Sequence, residues 1–351
     1  MRALVYDAFR EPLRLTALPD PTAPPGGVVV RVTSAGLCRS DWHGWMGHDD
    51  DIATFPHVPG HELVGVVESV GEGVDGSWVG RPVTAPFVQA CGRCATCAAG
   101  EGQVCPHQRQ PGFTDPGCFA ERVVVHAADT NLVPLPAAVD PAAAAGLGCR
   151  VATAHRAVVA RGRVAPGDTV LVSGCGGVGL AAVAIAVAAG ARVCATDLDP
   201  TSRARAEALG AEHTLDAGLP ASELVAAVVE WSGGGARVGI EAVGSPEACR
   251  AGILALGRRG RHVQVGLLPP AGGAATVPME RVIGWELDVL GSHGMAAADY
   301  AALLADVADG RLDLAALLAP GDPVGLEEAG TLLAAMGESG SRGMVLVDPA
   351  R

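Results

Sequence analysis

A chain of 351 residues, 49% of them hydrophobic, is long enough for two domains and can bury a sizeable core. The formal charge is −13 and all 25 basic residues are Arg, with no basic cluster, which argues against nucleic acid as a partner. No run of about 18 apolar residues is free of Gly or polar breaks, and the start MRALVYDAFREPLRL lacks the features of a secretion signal, so no membrane span and a cytoplasmic location are expected.

Residues 1–147 are rich in Pro, Gly and short β-branched runs such as GGVVVRVTSAG and ELVGVVESVG, which are strand-and-turn signals. Within this part, GLCRSDWHGWMGH (36–48) crowds together Cys38, Asp41, His43 and His48, and PGHELVG sets His61 beside Glu62. Further on, CGRCATCAAGEGQVC spaces Cys91, Cys94, Cys97 and Cys105 as C-x2-C-x2-C-x7-C. Ten Cys without a secretion signal point to metal or redox chemistry rather than disulfides. Four clustered thiolates match a closed tetrahedral zinc site that clips a lobe over 91–105, with an iron–sulfur cluster as the rival. Such a site has no position left for substrate.

From about residue 151 the rhythm changes to DTVLVSG, VGLAAVAIAVAAG, RVCATD and SRARAEALG, which reads as βαβ units around a parallel sheet. The stretch LVSGCGGVGL places Gly174, Gly176 and Gly179 as G-x-G-x-x-G, with Gly177 and Val178 inside the pattern, between a strand and an Ala-rich helix. These glycines allow a tight turn and close approach of backbone to a pyrophosphate, and the helix N-terminus offers it oriented N–H groups. Asp197, ending the next apolar run, would accept hydrogen bonds from ribose hydroxyls and repel a 2′-phosphate, so NAD is favoured over NADP. The runs VGIEAVG, RHVQVGL and LDVLGSHG continue the strand series to about 292, and the tail offers helices and a closing strand.

Cys149 sits in AGLGCRVATAH at the boundary between the two textures. A Cys–His–Cys set with one position open is a known catalytic zinc arrangement. Its two thiolates cancel the zinc charge, leaving a moderate Lewis acid that can hold an alkoxide and release it as a carbonyl.

Taken together, GLCRSDWH, PGHELVG, the four-cysteine lobe, GCRVATA, GCGGVGL with Asp197, VQVGL, LGSHG and SRGMVLV resemble, in order and over essentially the whole chain, the zinc-dependent alcohol dehydrogenases of the medium-chain dehydrogenase/reductase family. The resemblance implies an α/β two-domain fold. A GroES-like, partly β-barrel catalytic domain would span 1–150, a Rossmann NAD-binding domain with a doubly wound parallel sheet 151–290, and 291–351 would return to the catalytic domain, with the active site in the cleft. By the same resemblance Cys38, His61 and Cys149 are the catalytic zinc ligands, Asp41 orients His61, and Glu62 is the acidic neighbour that can approach the metal. Ser40 and His43 match the family's proton relay, for which an imidazole pKa near ~6.5 is well suited. Arg39 and Arg342 match positions that clasp the pyrophosphate. Gly266, Leu267, Leu290 and Ser292 match segments that hold the nicotinamide end, and Thr153 lies against the nicotinamide ring. Phe87 matches a substrate-cleft position and Trp42 lies on a segment near the zinc, an apolar wall that favours a primary or secondary apolar alcohol over a polyol.

The implied reaction is reversible hydride transfer between such an alcohol and NAD, through a zinc-bound alkoxide, with Ser40 and His43 moving the proton. It implies two Zn2+ per chain and a homo-oligomer, dimer or tetramer. Two other readings compete. Reduction of an activated C=C or C=N bond with NADPH uses the same fold, but Asp197 and the Ser40–His43 pair argue against it. A non-catalytic zinc-binding scaffold predicts lost catalytic residues, whereas here every ligand and relay position is filled. His48, His57, His107, His126 and His155 lack ligand-like spacing and read as surface or satisfied core, and Cys118, Cys194 and Cys249 read as packing.

Overall fold

β-branched runs broken by Gly and Pro favour short strands over long helices in the first 150 residues. The computed structural model describes residues 1–268, 276–337 and 343–351, and divides into two compact units: Met1–Ala152 with Gly294–Arg351, and Thr153–His293.

In the first unit the chain runs β1 (Arg2–Val5), β2 (Arg14–Ala17), β3 (Val28–Leu37), α1 (Arg39–Trp45), β4 (Glu62–Val70), β5 (Pro82–Thr84), α2 (Ala95–Ala98), β6 (Arg122–Val125), α3 (Ala128–Asn131) and β7 (Val133–Pro134), and the division between the units falls within α4 (Arg150–His155). β1 and β2 pair antiparallel. β3 is the hub of an antiparallel sheet, bonded to β4, to β6 and to a strand from the far end of the chain, Val345–Val347, while β5 and β7 extend it beyond β4. Val28, Val30, Val32, Ala35 and Leu37 of β3 are buried with Leu63, Val123, Phe119 and Leu333, so the strand is anchored in apolar packing along its length. Its last residue leads directly into Cys38, which places the first candidate ligand at a rigid strand end.

The second unit continues with β8 (Thr169–Ser173), α5 (Gly177–Ala188), β9 (Arg192–Asp197), α6 (Pro200–Ala208), β10 (His213–Asp216), α7 (Ala221–Ser232), β11 (Ala236–Glu241), α8 (Pro246–Leu254), β12 (Leu256–Gln264), α9 (Met279–Trp285) and β13 (Asp288–Gly291). Its six strands are all parallel, in the order β10-β9-β8-β11-β12-β13. Counted within the unit this is 3-2-1-4-5-6, the doubly wound dinucleotide-binding order, whose direction reverses between β8 and β11. Ligands of such sheets bind beyond the carboxyl ends of the strands at that reversal. The chain then completes the first unit with α10 (Tyr300–Ala308), α11 (Leu326–Ala335) and β14 (Val345–Val347). Among the described residues no helix is long and apolar enough to cross a membrane.

Candidate active site and metal centres

The first centre is organised by one buried carboxylate. Cys38 precedes α1 in extended conformation, and Asp41, the third helical residue, folds back so that its Oδ2 accepts the Cys38 N–H at 3.0 Å, satisfying a donor that the helix start leaves unpaired. The other oxygen, Oδ1, accepts the Gly60 N–H at 3.1 Å and faces His61 Nδ1 at 2.7 Å. A carboxylate facing three donors is an acceptor, so the His61 proton sits on Nδ1 and the lone pair on Nε2. That Nε2 is buried and, among the described residues, makes no conventional hydrogen bond to nitrogen or oxygen. Cys149 supplies the third group: the Cys38 and Cys149 sulfurs and a ring nitrogen of His61 all lie within 4.8 Å of one another, and all three residues are buried.

The three groups are strongly coupled to one another. Cys149 donates a hydrogen bond that draws the Cys38 thiol well below the usual range, and the same bond, with burial, pushes Cys149 well above it. Burial opposes a charge on His61, but Asp41 and Cys38 outweigh it and raise the imidazole well above its usual value. Two thiols and the imidazole Nε2 form a donor set that fits zinc with one coordination position left over.

Glu62 does not add a ligand to this set. Its Oε1 accepts the Arg150 N–H at 2.8 Å and its carboxylate is forked onto the Arg150 guanidinium, with Nε 2.9 Å from Oε2, and both residues are buried. Burial raises the Glu62 pKa even though the Arg150 charge lowers it.

Ser40 and His43 lie three residues apart on α1, the spacing that sets two side chains on one helix face. Ser40 Oγ is 3.9 Å from Cys38 Sγ. His43 is half-buried, and its Nδ1 lies 3.0 Å from Nδ1 of His48, an exposed residue that the sequence alone left as surface. Trp42 packs edge-on against both imidazoles, with ring centroids at 4.9 and 5.7 Å, and carries the Arg39 guanidinium 4.6 Å above it. Arg39 also donates to the Met336 carbonyl. Phe87, buried, stands edge-on to His61 with centroids 6.0 Å apart. A second ring, Phe113, is 5.3 Å from His61 and buried; nothing in its local sequence, GFTD, announced it.

The second centre is the four-cysteine lobe. The Sγ atoms of Cys91, Cys94, Cys97 and Cys105 all lie within 4.8 Å of one another, with Cys94–Cys97 at 3.4 Å, Cys94–Cys105 at 3.8 Å and Cys91–Cys97 at 3.9 Å. A tetrahedron with Zn–S bonds of ~2.3 Å has S–S edges of ~3.8 Å, so the cage has the right size, and the cysteines are not disulfide-bonded. Backbone N–H groups of Cys91 and His107 point at the Cys105 sulfur, each at 3.4 Å, as donors do toward a thiolate. The Cys97 N–H draws the Cys94 thiol down to about 6, while burial and its neighbours push Cys97 up to about 12.

In the second unit the glycine turn has the shape that its spacing implied. Gly174 has φ +90° and so needs glycine, and a side chain at Gly179 would run into the Gly174 carbonyl, which packs α5 tightly on the turn. A Cβ at Gly176 would meet no protein atom within 4 Å, an open cradle at the start of α5. Gly177 and Val178, half-buried, form the first turn of that helix. Asp197 ends β9; its Oδ2 accepts the Cys175 N–H at 2.7 Å and its Oδ1 the Asp199 N–H at 2.9 Å, which ties it to the glycine turn. Gly266 and exposed Leu267 follow β12, Leu290 lies half-buried in β13, and Ser292 follows it with its N–H on the Gln264 carbonyl at 3.0 Å. Thr153 and Ser292 each bury a hydroxyl oxygen without a hydrogen-bond partner among the described residues. Arg342 lies outside the described residues.

Two protein families match the chain. The family described as Alcohol dehydrogenase GroES-like domain matches residues 24–137, and the one described as Zinc-binding dehydrogenase matches residues 177–309. The chain is 34% identical to a sorbitol dehydrogenase of Halalkalibacterium halodurans over 286 residues, 80% of each chain, and 33% identical to an alcohol dehydrogenase of Geobacillus stearothermophilus over 77% of this chain and 78% of the relative. The solved alcohol dehydrogenase of the archaeon Aeropyrum pernix superposes with a TM-score of 0.88 at 30% identity, covering 99% of this chain and 100% of that one. Two thiolate-rich centres, the 3-2-1-4-5-6 sheet and these relatives together make the chain a member of the zinc-dependent alcohol dehydrogenases of the medium-chain dehydrogenase/reductase family.

Proposed function

We propose that this enzyme interconverts an apolar primary or secondary alcohol and its carbonyl with NAD as coenzyme, holding a catalytic zinc on Cys38, His61 and Cys149 and a structural zinc on Cys91, Cys94, Cys97 and Cys105. The observation that carries the reading is the His61 imidazole, locked by Asp41 with its Nε2 among two thiols. When bound, the zinc supplies a Lewis acid beside the substrate oxygen and the nicotinamide supplies the hydride acceptor or donor.

The chain's own residues do the rest. Ser40 takes the alcohol proton, and His43, on the same face of α1, hands it toward solvent; in the reverse direction the proton follows the same groups back. Asp41 holds His61 in the ligating tautomer. Glu62 keeps its buried carboxylate engaged with the Arg150 guanidinium. Gly174, Gly176, Gly177, Val178 and Gly179 with the N-terminus of α5 receive the coenzyme phosphates, aided by Arg39 and Arg342, while Gly266, Leu267, Leu290, Ser292 and Thr153 hold the nicotinamide end.

The coenzyme preference rests on Asp197, whose carboxylate would repel a 2′-phosphate. The nearby Arg203 donates to the Asp197 and Leu198 carbonyls at 2.8 and 3.0 Å, so that guanidinium is turned to the backbone rather than to a phosphate. The substrate class rests on the phenyl rings of Phe87 and Phe113 packed on His61. A panel of aliphatic, aromatic and polyhydric alcohols, assayed for reduced coenzyme with NAD and NADP on the zinc-loaded protein, tests all three parts. Turnover of apolar alcohols with NAD supports the proposal; a preference for polyols or for NADP overturns the corresponding part.

A further inference from the structure

We propose that His48 is the next station of the proton path after His43, so that two imidazoles built into the C-terminal cap of α1 carry the proton to solvent. This rests on the Ser40–His43 path proposed above.

The main chain fixes the contact. Gly47 adopts φ +76°, its N–H bonds the Gly44 carbonyl at 3.0 Å, and the His48 N–H bonds the His43 carbonyl at 3.0 Å. That pattern, a left-handed residue followed by one whose N–H reaches five residues back, is the Schellman cap. The cap returns the residue after glycine onto the last turn of the helix, where a hydrophobic pair usually meets. Here the two side chains that meet are imidazoles, with Nδ1 facing Nδ1 at 3.0 Å. Trp42 lies edge-on against both rings and holds them side by side. The groups facing His43 are His48, Arg39 and Cys38, and His48 opens the acidic run Asp49–Asp51 on the same loop.

A bond between two Nδ1 atoms requires one ring to donate and the other to accept. With His43 as donor, its Nε2 takes the incoming proton, its Nδ1 proton passes to His48 Nδ1, and exposed His48 releases a proton from Nε2 to water. Each ring gains one proton and loses one, and no other reactant is needed. His48 touches neither substrate nor coenzyme in this scheme; it acts as a positioning and transfer group through His43.

The test uses the zinc-loaded full chain, His48→Ala, His48→Gln and His43→Gln. Nitrogen-15 imidazole spectra of the wild type are expected to show one Nδ1–H and one Nδ1 acceptor in a pair that titrates together, and His48→Gln to shift the His43 titration upward. Independent titration, with His43 unmoved by His48→Gln, overturns the pairing. In alcohol oxidation His48→Ala is expected to lower kcat about 10-fold in weak buffer, short of the ~10²-fold floor for losing the primary acid–base group, with KM unchanged and kcat restored by added imidazole. Wild-type kcat in His48→Ala, or a loss that raises KM and resists imidazole, overturns the relay while leaving the alcohol dehydrogenase reading intact. A wild-type enzyme that turns over no alcohol or carbonyl removes both.

Discussion

Replacing Asp41 by Asn removes one charge from the catalytic centre with almost no change in volume. In the native site two carboxylate oxygens accept three N–H groups, from His61 at 2.7 Å, Cys38 at 3.0 Å and Gly60 at 3.1 Å. An amide oriented to keep His61 and Gly60 on its oxygen turns its NH2 toward the Cys38 N–H. The stranded buried donor costs about 1–3 kcal/mol and the loss of charge assistance about 1 kcal/mol at each remaining bond, so folding loses about 3–5 kcal/mol. The softened grip on His61 weakens the metal at this centre about 10–100-fold, the usual effect of losing such a partner. The four-cysteine cage shares none of these bonds, so a metal held there should be unaffected. Titration with a chromogenic chelator reads both effects: Asp41→Asn should release one zinc at a much lower chelator concentration than the other, and should unfold at lower denaturant. Release of both zincs with the wild-type profile would refute the idea that Asp41 holds the ligand histidine.

Ser40→Ala should cut kcat by ~10²–10⁴-fold while NAD affinity stays within experimental scatter, read by steady-state kinetics and coenzyme fluorescence titration; retained activity across mildly acidic to mildly alkaline pH would remove Ser40 from the proton path. Asp197→Gly should raise kcat/KM with NADP relative to NAD, and an unchanged ratio would move the coenzyme choice elsewhere. Burial lowers the pKa values of His43, His57, His126, His262 and His293, so the unfolded chain binds more protons than the folded one once pH falls below about 6.5. Their contribution is therefore complete above that pH and is lost as it drops, and Tm should begin to fall below about pH 6.5, before the lowered carboxylates such as Asp115 and Glu121 start to titrate. A Tm that stays flat down to pH 5 would contradict it.

What the sequence disclosed was whatever is encoded by short spacing. Cys91, Cys94, Cys97 and Cys105 lie within fifteen residues, so their pattern carries the cage almost without tertiary structure. The glycine turn is equally local: strand, turn and helix are contiguous, and Asp197 ends the next strand. Cys38, His61 and Cys149 lie far apart in the chain, and only family resemblance gathered them. Three features escaped. Glu62 meets Arg150 across 88 positions, and Phe113 reaches His61 through a loop without periodicity. The His43–His48 contact is local, yet it depends on Gly47 taking the left-handed conformation and turning His48 back over the helix. Gly47, two residues past the last residue of a short helix, was the available signal, since a C-terminal glycine cap brings together the residues on either side of it.

The central claim is that Cys38, His61 and Cys149 hold the metal on which alcohol oxidation depends. Its most direct measurement is zinc content together with alcohol-dependent NAD reduction for the wild type and Cys149→Ser. The account predicts two zincs and turnover in the wild type, against one tightly held zinc and no turnover in the variant. Full activity in Cys149→Ser, or loss of both zincs together, would contradict it.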